Sequence, residues 1–129
     1  MIISRMTVEH LDDVLAIERD SFLTPWSELS FRQEIEGKES SLAVVVSEDE
    51  RVIGYGIAWI IVDEIHIGNL AVRHDYRRRR IGAMLLDHLL ETGKRSGCCL
   101  ATLEVRRSNL PAIGLYQTFG FSLEDCWFE

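Results

Sequence analysis

Asn69-Leu70-Ala71-Val72-Arg73-His74-Asp75-Tyr76-Arg77-Arg78-Arg79-Arg80-Ile81-Gly82 runs from an apolar strand end into an arginine-rich helix start. A helix N-terminus presents unpaired backbone N–H groups and roughly half a positive charge. Five of the chain's 14 basic residues fall in the eight positions from Arg73 to Arg80, although the net charge is −7. A basic run in an acidic protein marks a local polyanion site. Alone, Arg77–Arg80 would read as a solvated basic turn. Between a strand and a helix, with Gly82 allowing close backbone approach, it reads as a phosphate cradle. It is not a Walker loop, because the G-K-S/T ending is absent, nor a dinucleotide fingerprint, because the glycine triplet is absent.

On the N-terminal side, residues 2–6 read as a short strand. Thr7 caps a helix over about 8–22 that carries Val8, Leu11, Val14, Leu15 and Phe22 on its apolar side. Pro25 breaks it, and Ser27 caps a second, short helix ending near Gly37. Leu42–Val46, Val52–Val62 and Ile65–Val72 form an antiparallel meander, with turns at Ser47–Glu50 and Asp63-Glu64. Gly54 and Gly56 mark a bulge or the close approach of another group to the middle strand.

On the C-terminal side, Ile81, Met84, Leu85 and Leu89 recur at helical spacing, and the helix stops near Gly97. Cys98–Val105 reads as a strand with Cys99, Ala101, Leu103 and Val105 on one face. Asn109 begins a helix that tolerates Pro111 in its first turn and ends at Gly120. Phe121–Phe128 reads as a last strand. The order β-α-α-β-β-β-α-β-α-β contains a strand–helix–strand unit from 65 to 105, which requires a parallel pairing.

The 129 residues, 47% hydrophobic and 27% charged with two prolines, describe one globular domain spanning 1–129. No apolar stretch approaches the ~20 residues of a membrane span. The N-terminus lacks the order of a signal peptide. Cys98, Cys99 and Cys126 form no C-x-x-C pair, so a cytoplasmic protein is expected, with Cys98 and Cys99 as buried small apolar residues. His66 and His74 have no ligand-spaced partner, so no metal is expected.

The opening stretch resembles the acetyl-CoA-binding motif of the GNAT acyltransferases, Gln/Arg-x-x-Gly-x-Gly/Ala after an Ala-Val strand end. Leu103-Glu104-Val105-Arg106-Arg107-Ser108-Asn109, with Ala112, Leu115-Tyr116 and Phe119-Gly120-Phe121, resembles the second half of that domain. The L-E-V-R-x-S-N segment with the later L-Y-x-x-x-G-F is similar to the RimI-type branch, which acetylates protein N-termini. Phe22 with Pro25-Trp26-Ser27, and Asp63-Glu64, fit the same branch. The resemblance implies an α/β (α+β) fold, a mixed and mostly antiparallel sheet with splayed central strands flanked by helices. It implies acetyl-CoA as co-substrate. The pyrophosphate would lie on Arg77, Arg78, Arg79, Arg80, Ile81, Gly82 and Ala83, and the pantetheine on Leu70, Ala71 and Val72. Asn109 would hold the cofactor arm, Glu104 would be the general base and Tyr116 the general acid. The N–H groups near Ala71 and Val72 would face the thioester carbonyl.

The chemistry is consistent with those roles. An ammonium must lose a proton before it can attack a thioester, and a phenol near pKa 10 can protonate a departing thiolate. Trp26, Asp63 and Glu64 are the acceptor-side candidates; Trp26 serves equally well as a plug between the first two helices. Arg80 stands where the family pattern has its first glycine. At negative φ its N–H serves as any residue's would and its charge adds to the site. At positive φ it is strained by about 1–3 kcal/mol. The sequence stops soon after the sixth strand, where the family adds a seventh, so an exposed edge is expected. The expected partner is a protein N-terminus, an alanine on a basic small-subunit ribosomal protein, with no direct nucleic acid and no membrane. The alternatives are a GNAT enzyme acting on a small-molecule amine, a non-catalytic CoA-binding module, and an RNA-binding domain. The last would want aromatics interleaved with the arginines, and only Tyr76 adjoins them.

Overall fold

The structure is a computed structural model and describes residues 1–37, 40–103, 105–106, 110–120 and 127–128. Strand β1 (Ile2–Arg5) leads through a single 3₁₀ turn (Val8–His10) into α1 (Leu11–Ser21), followed by α2 (Glu28–Ile35). The expected continuous helix over 8–22 therefore begins with a tighter turn. The Thr7 N–H donates to His10 Nδ1 at 2.9 Å, and the His10 N–H donates to the Thr7 carbonyl at 3.0 Å. Ser27 caps α2 as its position suggests, with its Oγ accepting from the Ser30 N–H at 3.1 Å.

Strands β2 (Ser41–Glu48), β3 (Arg51–Ile61) and β4 (Glu64–Val72) form the expected meander, and β1 adds to it antiparallel to β2. The turns are tighter than their sequences suggest. Only Asp49-Glu50 and Val62-Asp63 lie outside the strands. Asp49 and Glu50 both take positive φ, 51° and 64°, the conformation of a two-residue hairpin whose twist matches its strands. After β4, a 3₁₀ turn (His74–Tyr76) leads to α3 (Ile81–Arg95), which returns the chain to β5 (Leu100–Leu103), parallel to β4. The five strands lie in the order β1-β2-β3-β4-β5. Beyond them, β6 (Val105–Arg106) and β7 (Trp127–Phe128) pair parallel, with α4 (Leu110–Thr118) between them in sequence.

Each face of the sheet buries its own apolar cluster. Ile53, Ile65, Ile67, Leu70 and Val46 pack against Ile81, Leu85 and Leu89 of α3 and Tyr116 of α4. Val45, Tyr55, Ile57 and Ala71 pack against Leu11, Val14 and Leu15 of α1 and Phe31 of α2. The close approach expected at the β3 glycines is that of α3. A Cβ at Gly54 would lie 3.2 Å from Leu85 Cδ1, and one at Gly56 3.1 Å from Leu89 Cδ1.

The register of β4 contains an interruption that positions the site. Ile57 of β3 opposes Asn69, but its neighbour Ala58 opposes Ile67. Gly68 is therefore an extra residue on β4, a β-bulge, and it inverts the side-chain alternation that follows. Ile65 and Ile67 face α3, whereas unbroken alternation would send residue 69 the same way. Instead Asn69 reaches Glu18 of α1, and Ala71 joins the α1–α2 cluster. The bulge also leaves room for Trp59, because a Cβ at Gly68 would come within 2.2 Å of the indole.

The expected strand from Cys98 starts two residues later. Cys98 is half-buried and Cys99 is exposed rather than buried. Cys99 Sγ donates to Asp63 Oδ2 at 3.3 Å, and that contact pushes the thiol pKa up. Cys126 lies outside the described residues.

Gly68→Ala should lower the unfolding free energy by about 1–3 kcal/mol, because the indole of Trp59 must move. Urea denaturation of Gly68→Ala and of the Gly68→Ala/Trp59→Leu pair measures this. The double variant should recover part of the loss, and an unchanged midpoint in the single variant would contradict the packing at the bulge.

Candidate active site

The expected cradle lies at the start of α3. The Arg80 carbonyl accepts from the Met84 N–H at 3.0 Å, and no side chain caps this end. The first-turn N–H groups of Ile81, Gly82 and Ala83 have no partner within a helix, which makes them anion donors. Arg80 has φ 62° and ψ 20°, and Arg78 has φ 67°. Left-handed residues recurring in a turn are the backbone pattern from which anion-binding nests are built. Arg80 therefore takes the strained alternative: it is not a cost-free charge donor in the glycine's place. Gly82 is needed for packing rather than for φ, since a Cβ there would lie 3.2 Å from Leu115 Cδ2.

The arginines divide their work. Arg77 Nε donates to the Val72 carbonyl at 3.2 Å and its Nη2 to Ser21 Oγ at 3.3 Å, so its guanidinium ties the strand end to α1. Arg79 lies over the Tyr76 ring, 5.0 Å from its centroid. Arg73 pairs with Asp75 at 3.1 and 3.2 Å, which raises the guanidinium pKa and lowers that of the carboxyl. Arg78 and Arg80 are exposed and have no acceptor among the described residues.

Leu70, Ala71 and Val72 oppose Gly56, Tyr55 and Gly54 on β3. On the other side, pairing with β5 ends at Ile67↔Leu103. Beyond the bulge, β4 has no β5 partner among the described residues. Tyr116 is 4% exposed and shares a cluster with Leu70 and Ile81. Burial pushes its phenol up to about 12, above the ordinary value of 10 expected from sequence. The proton is therefore held throughout the neutral range. Glu104 and Asn109 lie outside the described residues.

Trp26 is half-buried at the α1–α2 connection, 5.2 Å from Phe31 and stacked 6.3 Å from Trp59, measured between ring centroids. Trp59 in turn lies 6.0 Å from His66, whose Nδ1 is 2.7 Å from Thr102 Oγ1. Glu64 shares the His66 face by alternation. Asp63 is drawn away, since its carboxyl accepts from Cys99 Sγ and its carbonyl from the Cys99 N–H at 2.8 Å. Glu64 is also about 20 Å along β4 from Leu70, at ~3.3 Å per residue. The structure thus joins Trp26 to Trp59 and His66 but leaves Asp63 apart. A cleft of about 360 Å³ opens at the other end of α3, between Leu90, Lys94, Cys98 and Phe119, remote from Arg80.

Sequence reasoning missed Glu18, which is fully buried and meets Asn69, Tyr55 and the Trp26 backbone. The signal was present: Leu11, Val14, Leu15 and Glu18 share one helical stripe, and a carboxyl in an apolar stripe needs partners.

Arg80→Gly should raise the unfolding free energy by about 0.5–1 kcal/mol. Relief of left-handed strain is worth about 1–2 kcal/mol, less the extra entropy glycine loses on folding. Urea titration measures it, and a lowered midpoint would contradict the strain. Tyr116 contributes stability that is complete below about pH 10 and is lost as pH rises through its raised pKa. Stability should fall by about 2–3 kcal/mol between pH 10 and 12, with the slope reduced in Tyr116→Phe.

Residues 11–121 match the acetyltransferase (GNAT) family model. The ribosomal protein bS18-alanine N-acetyltransferase of Salmonella typhimurium is 36% identical over 120 residues, which is 93% of this chain and 80% of that enzyme. Its Escherichia coli K12 counterpart is 33% identical with the same coverage. The crystal structure of the Escherichia coli ribosomal-protein-S18-alanine N-acetyltransferase superposes with a TM-score of 0.83 at 32% identity, covering 94% of this chain and 77% of that one. A coenzyme A complex of the PaiA N-acetyltransferase from Thermoplasma acidophilum shares the fold, with a TM-score of 0.87 at 22% identity over 96% of this chain and 91% of that one. An arginine-rich helix start behind a bulged, splayed strand, in a chain matched over most of its length, places it in the acetyltransferase (GNAT) family.

Proposed function

We propose that residues 1–129 form one acetyl-CoA-dependent N-terminal acetyltransferase domain whose acceptor is the α-amine of an N-terminal alanine on a basic, small-subunit ribosomal protein. The observation that carries this reading is the 33–36% identity, over 93% of the chain, to enzymes named for that modification of bS18. The turn at Arg78–Ala83 suits the pyrophosphate, and the stretch of β4 beyond Gly68, which has no β5 partner among the described residues, suits an extended pantetheine. A cytoplasmic setting fits a ribosomal substrate.

In this mechanism Glu104 takes a proton from the acceptor ammonium, directly or through water. The amine nitrogen attacks the thioester carbonyl carbon, and its oxygen gains negative charge opposite the backbone N–H groups near Ala71 and Val72. The carbon–sulfur bond then breaks. Tyr116 gives its proton to the thiolate, and the attacking nitrogen loses its second proton, which restores the phenol through water; the products are an N-acetylated chain and CoA. Burial keeps that proton in place before the thiolate forms. Asn109 would hold the cofactor arm. Trp26, with Trp59 and His66 behind it, would flank the first acceptor residues, and Glu64 would meet basic groups further along.

The α-amine suits a single carboxylate base. Its pKa is near 8, so about a tenth is neutral at pH 7; lysine, near 10.4, is neutral in fewer than about one molecule in a thousand.

A peptide beginning with alanine and rich in arginine should be acetylated, and blocking its N-terminus should abolish turnover despite internal lysines. Glu104→Gln should slow turnover by ~10²–10⁴ with CoA affinity nearly intact. Mass spectrometry that places the acetyl group on lysine, or turnover of small amines only, would overturn the acceptor. Near-normal activity of Glu104→Gln over pH 6–9 would overturn the base.

A further inference from the structure

Glu18 is the one carboxyl among the described residues that is fully buried, and the reaction as written makes no use of it. Its two oxygens face two different parts of the molecule. Oε2 accepts from the Trp26 N–H at 2.8 Å, in the connection between α1 and α2. Oε1 accepts from Asn69 Nδ2 at 2.8 Å and from the Tyr55 hydroxyl. Asn69 immediately follows the extra residue Gly68 and immediately precedes Leu70–Val72, and Tyr55 opposes Ala71 across the ladder. No cationic side chain among the described residues pairs with Glu18, so three hydrogen-bond donors satisfy it. A group so placed is costly to bury unless each oxygen is met with good geometry. The arrangement therefore fixes its partners as firmly as they fix it.

We infer that Glu18 is a positioning residue for acyl transfer, one oxygen setting the acceptor-side turn at Trp26 and the other holding Asn69 and thereby the bulge that aims the β4 edge at acetyl-CoA. This rests on the functional reading above for which side receives which substrate. An apolar residue at position 18 would fill the same stripe of α1 but would leave Asn69 and the Trp26 N–H unpaired in the interior. The bulge could then slip by one residue, returning residue 69 to the α3 face and turning the edge that follows it.

The two oxygens can be separated experimentally. In Glu18→Gln, the amide oxygen best serves the two side-chain donors, which leaves its NH₂ opposite the Trp26 N–H, donor facing donor. In Asn69→Ala the carboxyl and the Trp26 contact remain and only the bulge tie is lost. Four quantities are to be measured on the full chain: CoA affinity by calorimetry, KM and kcat for the alanine-initial peptide, and hydrogen exchange of the Trp26 amide by NMR. Glu18→Gln should raise the peptide KM about tenfold and speed Trp26 exchange, with CoA affinity within about twofold of wild type. Asn69→Ala should weaken CoA about tenfold, with the peptide KM within about twofold. Should Glu18→Gln fail to fold, Asn69→Ala and Tyr55→Phe still decide the matter, since both must weaken CoA more than the peptide. Folded variants with wild-type constants, or with both substrates weakened by the same factor, would overturn the inference. If the wild type acetylates only small amines, the acceptor assignment falls, while CoA affinity and Trp26 exchange still report on Glu18.

Discussion

One extra residue in β4 governs the architecture of the site. Without the bulge at Gly68, strand alternation would carry Asn69 to the α3 face with Ile65 and Ile67. With it, β4 presents Ile65 and Ile67 to α3, Asn69 and Ala71 to α1 and α2, and Leu70 again to α3. The parallel ladder to β5 ends at Ile67. Among the described residues, the change of face and the last β5 pairing lie within two residues of each other. Bulges bend a strand and increase its local twist, so splay follows from the same insertion. The bulge is held on the α1–α2 face, by the Trp59 ring over Gly68 and by Glu18 through Asn69.

The arginine run shows how identical side chains acquire different work from backbone placement. Arg73 and Arg77 secure the turn, to Asp75 and to Val72 and Ser21, and Arg79 covers an aromatic ring. Arg78 and Arg80, the two in the left-handed conformation, are exposed and have no acceptor among the described residues. Strain and exposed charge coincide there. A concavity of N–H groups demands the unusual φ values, and an anion placed in it offsets the repulsion among neighbouring guanidiniums.

Most of the element order was legible, because each element advertises its own period: the β-branched runs of β2 and β3, the helical spacing of Ile81, Leu85 and Leu89, the cap at Ser27. The strand end and helix start that flank the arginine run were legible for the same reason, being local. What was not legible depends on register or on φ. The bulge is invisible in Gly-Asn, since either parity gives a plausible strand. Arg80 could be read with either sign of φ, and only the turn's path settles it at +62°. Asp63 looked like an acceptor contact as one half of a turn pair, yet its carboxyl is turned to Cys99. Glu18 was hidden by its own type: a glutamate in a helix is ordinarily taken to face water, and its place in the stripe of Leu11, Val14 and Leu15 weighs against that.

The two halves of the proposed site approach the sheet from opposite faces. Helix α3 and Tyr116 lie on one, and the α1–α2 turn with Trp26 lies on the other. An intact ladder would separate them, since paired strands ~4.8 Å apart leave no passage for an acyl group. Transfer from a thioester on one side to an amine on the other therefore needs an opening in the sheet, and β4 beyond Gly68 is where the described ladder provides it. This also explains why a polar network is retained in the α1–α2 core. An apolar core could support the sheet equally well, but it could not hold an opening, because apolar packing favours closure wherever a strand can pair. The carboxyl on α1 takes a donor from each of the two strands, Tyr55 of β3 and Asn69 of β4, and so fixes the face that Asn69 presents after the bulge.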